Sequence, residues 1–137
     1  MPTLAIDPAA LKAAALHVAL LVIAMLVLTY AVIKERRSKQ IGIGHGGDRA
    51  VERIVRAHAN FCENAPFALA LLVLLPLMGA SAWVVHLVGF VFLGARIAHA
   101  YGLTRTGGAS AGRVAGMLAT HAAFVIGTVA LLVASFR

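Results

Sequence analysis

The chain has 137 residues, 61% hydrophobic and only 12% charged, against about half and a quarter in a soluble globular domain. That balance excludes an ordinary soluble enzyme and points to an integral membrane protein, with length for one domain of four spans at about 20 residues each. The formal charge of +7 does not point to nucleic acid, because no basic run is interleaved with aromatics and the positive charges flank apolar stretches, as the positive-inside rule expects.

The first predicted helix covers about 8–33. Asp7 is its candidate N-cap, and Pro8 suits the first turn. Its apolar run, 13–33, exceeds the 7–15 residues of a signal-peptide core and has no basic n-region, so the segment is expected to stay as a span. It stops at Lys34-Glu35-Arg36-Arg37-Ser38-Lys39, a cytoplasmic flag. The loop 41–47 follows. Its glycines, Gly42, Gly44, Gly46 and Gly47, could form a phosphate nest, but GxGxxG spacing and a P-loop lysine are both missing; a flexible connection is expected.

The second helix is predicted over about 48–76, capped by Asp48, with two charged turns projecting beyond the bilayer. After a short turn, a third helix covers about 83–103 and starts at Trp83, a residue favoured at the membrane interface. The loop 104–112 carries Arg105 and Gly107-Gly108, and the fourth helix covers about 113–136. With both termini outside, ten of the twelve Lys and Arg residues lie on the cytoplasmic side; Lys12 and Arg137 do not. Short connections make consecutive helices antiparallel neighbours, so the expected fold is an all-α, up-down bundle of four transmembrane helices in one domain. Gly112, Gly116 and Thr120 recur every four residues, with Gly127 beyond, and small residues at that spacing allow close approach of helices within a subunit or between subunits.

The polar residues of the second helix fall at Arg49, Arg53, Arg56, Asn60 and Glu63, alternating steps of four and three that keep them on one stripe. A charge near the centre of a membrane helix costs about 2.5–3.5 kcal/mol on insertion scales, so such groups face a partner, a cavity or a ligand. The third helix adds Arg96 and His99, one turn apart. Glu63 and Arg96 each lie about 10 Å in from the same boundary at 1.5 Å per residue, which makes them natural partners. An ion pair that only fixes helix register would account for these two. It would leave Arg53, Arg56, Asn60 and His99 unexplained, whereas a small zwitterionic or peptide-like anion would engage all of them.

Arg113 opens the fourth helix, with Ser110 as one candidate cap. Either it snorkels at the interface, or it is aimed with the helix terminus at an anion formed during reaction. His17, His86 and His121 stand singly on three spans without spacing such as HExxH, so helix contacts are expected and no metal. Cys62 excludes an internal disulfide and a CxxC motif. Its apolar neighbours suggest a buried, unreactive thiol, a redox or nucleophilic role being the alternative.

Arg56-Ala57-His58-x-Asn60-x-x-Glu63, followed by Pro66-Phe67 and an apolar span, resembles the signature of the MAPEG family, membrane-associated proteins in eicosanoid and glutathione metabolism. The likeness extends to Arg96-Ile97-Ala98-His99-Ala100-Tyr101 and to Arg113, so it covers about 48–137. It implies a homotrimer, glutathione as co-substrate near the cytoplasmic face, and a small lipophilic second substrate; the alanine-rich composition and four bare spans suggest a bacterial inner membrane. On matching positions, Arg53, Arg56, Asn60, Glu63, Arg96, His99 and Tyr101 would bind glutathione and Arg113 would stabilise its thiolate. Arg36 or Arg37 would approach a neighbouring subunit's site. The implied activity is a glutathione-dependent transferase, with peroxide reduction as a companion reaction; the alternative is a non-catalytic lipid-binding or regulatory scaffold of the same fold. The chain departs from the family at Asn64, where several members have tyrosine, and at Leu103, where a second tyrosine is common.

Overall fold

The computed structural model describes residues 6–136, so Arg137, expected on the outer side, lies outside the described residues. Four helices follow in order: α1 (Pro8–Ser38), α2 (Arg49–Leu77), α3 (Ala82–Arg105) and α4 (Ala111–Ser135). Each is long and apolar enough to cross a membrane. At 1.5 Å per residue, the 29 residues of α2 span about 43 Å, more than the roughly 30 Å of a hydrocarbon core. Its charged first turns therefore have length to stand outside the lipid.

Local chemistry fixes the ends. Asp7 Oδ1 accepts the Ala9 N–H at 2.9 Å, and Asp48 Oδ1 accepts those of Ala50 and Val51 at 2.8 and 3.0 Å. The predicted end of α1 falls short. Lys34, Glu35, Arg36 and Arg37 are good helix formers, and the helix runs on to Ser38. Gln40 then takes a left-handed φ of 56°. The Ile41 and Gln40 N–H groups bond the Arg36 and Arg37 carbonyls at 3.0 and 3.2 Å, closing a Schellman motif. Across the glycine loop, Lys39 Nζ meets Asp48 Oδ2 at 3.4 Å. Bonds from the Val51 and Ala50 N–H groups, with Lys39 alongside, hold the Asp48 carboxyl below the usual carboxylate range.

The helices form an up-down bundle in which α2 and α3 are the inner pair. α1 packs on both, α4 packs on both, and α1 and α4 do not pack on each other. Leu21, Phe61, Leu71, Leu72, Leu75 and Phe92 are the larger core side chains. The small-residue stripe of α4 is used within the subunit. A Cβ at Gly116 would stand 2.7 Å from the Ala95 carbonyl oxygen and the His99 Cβ, and one at Gly112 would stand 2.9 Å from the Ala98 carbonyl oxygen.

His17 and His86, separate in sequence, meet between α1 and α3 with Nε2 and Nδ1 3.1 Å apart. Gly89 makes room for them, since a Cβ there would stand 2.2 Å from the His17 ring. His58 reaches α1 as well, 3.0 Å from Thr29 Oγ1. Cys62 differs from its expected burial. Phe61 takes the inward position, and the Cys62 thiol is exposed beside the His58 ring, 3.8 and 3.9 Å from its nitrogens.

Candidate functional site

A pocket of about 290 Å³ lies at the basic end of the bundle, between the first turns of α2, the last turns of α3 and the start of α4. From α2 come Arg49, Glu52, Arg53, Arg56 and Asn60; from α3, His99 and Leu103; beyond them, Gly107 and Arg113. Four of the five residues of the helical stripe therefore form one wall. The lining holds four guanidinium groups and one carboxylate, Glu52. Arg53 Nε is buried with no hydrogen-bond partner, which leaves a donor for an anion.

The position of Arg113 is set by backbone contact. Gly102 on α3 lets the beginning of α4 come so close that a Cβ there would stand 2.6 Å from the Arg113 backbone nitrogen and 2.7 Å from Ser110 Oγ. Ser110 caps α4, accepting the Arg113 N–H at 3.4 Å, and Arg113 Nη1 donates to the Gly108 carbonyl at 2.7 Å. The guanidinium is thus tied to the loop that leads into α4, and Arg113 lines the pocket. Arg113 and His99 also line an apolar groove on the α4 side, with Val114, Met117 and Leu118. The same two residues border a polar compartment and an apolar one.

Of the residues expected in the site, Arg53, Arg56, Asn60, His99 and Arg113 come together here. The others do not line it. Arg96 is 3% exposed, its guanidinium 5.9 Å from the Phe92 ring centroid. The expected Glu63–Arg96 ion pair is absent: equal depth brought the two to one level but not to one face. Arg96 turns inward to neutral partners, donating from Nη1 to Asn60 Oδ1 and from Nη2 to the Gly116 carbonyl and Thr120 Oγ1. Glu63 turns outward and lies 3.9 Å from Arg56, with both side chains more than half exposed. Tyr101 is exposed under the Arg105 guanidinium, 4.9 Å from its ring centroid. Arg36 and Arg37 stand at the end of α1 and do not line the pocket of their own subunit.

Glu52 was not singled out from sequence, and Gly107 was read only as a loop glycine. Glu52 sits three residues after Arg49, so the helical period placed it beside the stripe. Gly107 carried no signal, because a loop's path over a pocket depends on tertiary packing.

The MAPEG family model matches residues 14–133. Inner membrane protein YecN of Escherichia coli strain K12 is 32% identical over 74 residues, covering 54% of this chain and 56% of the relative. The same protein from E. coli O6:H1 gives the same identity and coverage, so the match spans about half the length of these relatives. With the family model covering nearly the whole chain and the four-helix fold in place, this protein belongs to the MAPEG family.

Proposed function

We propose that the protein is a glutathione-dependent transferase of a bacterial inner membrane, acting on lipophilic electrophiles, with its pocket toward the cytoplasm and both termini outside. The observation that carries this reading is the four-arginine pocket ending on Arg113 at the N-terminus of α4, next to an apolar groove. Arg53, Arg56 and Asn60 suit the carboxylates and peptide carbonyls of glutathione, while Arg113 and the helix terminus favour its thiolate. A hundredfold gain in thiol ionisation takes about 2.7 kcal/mol of preferential thiolate stabilisation. One arginine in a partly dry site can supply that.

The thiol proton leaves to solvent, the sulfur forms a bond to the electrophilic carbon, and the leaving group departs with its electron pair. With a hydroperoxide, the thiolate takes the distal oxygen, giving an alcohol and a sulfenic acid. A second glutathione then converts that acid to disulfide and water.

Self-association, as the homotrimer that the family resemblance implies, is supported by the same charges. Glu63 and Arg56 are exposed charges on a membrane helix, and an exposed carboxylate at that depth suits a protein neighbour better than lipid. At about 290 Å³ the pocket is at the small end for a ligand site, and a neighbour's Arg36 or Arg37 would add a further wall.

The test is conjugation of glutathione to a lipophilic aryl halide by the purified protein, beside Arg113→Ala. The expected result is turnover in the first and a loss of about a hundredfold or more in kcat in the second, with glutathione binding retained. Absence of conjugation and of thiolate formation would favour the non-catalytic, lipid-binding scaffold.

A further inference from the structure

We infer that buried Arg96 is a positioning residue that locks the Asn60 amide in one orientation, so that Asn60 presents only N–H donors to the pocket. The inference rests on the glutathione reading for the identity of the ligand, but not for the orientation itself. An asparagine amide has an acceptor end and a donor end of nearly equal size, so its neighbours decide which way it faces. Arginine has five N–H donors and no acceptor. The Asn60 atom in contact with Arg96 Nη1, 2.5 Å away, must therefore be the oxygen.

The Arg96 guanidinium is itself fixed. Nη2 donates to the Gly116 carbonyl at 3.3 Å and to Thr120 Oγ1, while the Thr120 hydroxyl donates onward to the Gly116 carbonyl at 2.7 Å. These partners belong to α4, where Gly116 and Thr120 are buried against α3. The direction of every hydrogen bond in this chain is determined, and none can reverse unless the arginine moves. Among the described residues no acceptor takes the Asn60 Nδ2 protons, and Asn60 lines the pocket. Its contribution to a ligand is therefore donation to a carbonyl or carboxylate oxygen. It cannot accept from a ligand ammonium group; Glu52 is the side of the pocket suited to that.

The experiment compares the full-length protein in detergent with Arg96→Lys, Arg96→Gln and Asn60→Asp. Lysine offers only donors and keeps the Asn60 oxygen turned inward; glutamine can donate or accept and frees the amide to turn over. Glutathione titrations should show Arg96→Lys within about threefold of the unsubstituted protein and Arg96→Gln about tenfold weaker, equivalent to about 1.4 kcal/mol, with kcat little changed. Asn60→Asp, which retains the contact to Arg96 but loses the donor, should weaken binding at least as much. Equal affinity for the Lys and Gln variants would overturn the inference. Nuclear magnetic resonance of the unsubstituted protein gives a readout independent of glutathione. The Asn60 side-chain N–H₂ signals, identified by their loss in Asn60→Asp, should exchange with water, and a scalar coupling across the hydrogen bond should link the Arg96 guanidinium to the Asn60 side-chain carbonyl carbon. If that coupling is missing, the oxygen does not face Arg96 and the inference fails, whether or not glutathione binds.

Discussion

Asp48 shows how one side chain serves two elements. It caps α2 through two backbone N–H groups and clasps Lys39 across the glycine loop. Those bonds hold its folded-state pKa below the unfolded value, so its stabilisation is complete above the ordinary carboxylate range. It is lost as pH falls through the folded value. Asp48→Ala should therefore lower the thermal midpoint at neutral pH, and the difference from the unsubstituted protein should shrink on acidification below about pH 4. A difference that grows in acid would contradict this sign. Glu63 illustrates a different residue-scale point. Its depth was readable from the helical rise, but its azimuth was not, because two groups at one level can still point away from each other. Glu63→Gln should leave the stability of the isolated subunit nearly unchanged, since exposed pairs contribute about 0–1 kcal/mol, as detergent unfolding of the monomer would show.

Among the elements, α3 and α4 make the closest contact because glycines remove the side chains that would separate them. Gly116→Ala would place a methyl 2.7 Å from backbone and from His99, an overpacking that typically costs about 1–3 kcal/mol. Gly94, also on α3, has nothing within 4 Å of its would-be Cβ. Gly94→Ala should be neutral or stabilising by about 0.5–1 kcal/mol, from propensity alone. Unfolding in mixed detergent micelles separates the two variants. Equal effects would mean that the glycines of α3 and α4 act through the backbone rather than through contact. Much at this scale was legible beforehand: the Asp7, Asp48 and Ser110 caps, the 3.6-residue stripe and the small-residue spacing are all local patterns. The extension of α1 to Ser38 was not anticipated, because a membrane-based reading ends a helix where apolarity ends, whereas good helix formers continue it into water. Partnerships across 69 residues, as between His17 and His86, have no local signature at all.

For the whole molecule, the arrangement of α2 and α3 between α1 and α4 leaves two wide apolar faces and one outward charged stripe. The apolar faces suit lipid; the stripe, with Arg56 and Glu63, suits a second copy. Native mass spectrometry or cross-linking in mild detergent should find three copies, and Glu63→Arg, which removes the carboxylate a second copy would meet and leaves the outward stripe wholly positive, should shift the population toward monomer. A monomer at all protein concentrations would contradict a shared site. The pocket's composition followed from the sequence stripe, but its closure by Gly107, its Glu52 wall and the retreat of Arg96 behind Asn60 depended on how the four helices meet. The central claim concerns charge at Arg113, and a glutathione titration at neutral pH, following the ultraviolet absorbance of the thiolate, tests it most directly. The unsubstituted protein should give a saturable thiolate signal that Arg113→Ala abolishes while glutathione still binds. Binding without ionisation, or an undiminished thiolate signal in Arg113→Ala, would contradict the account.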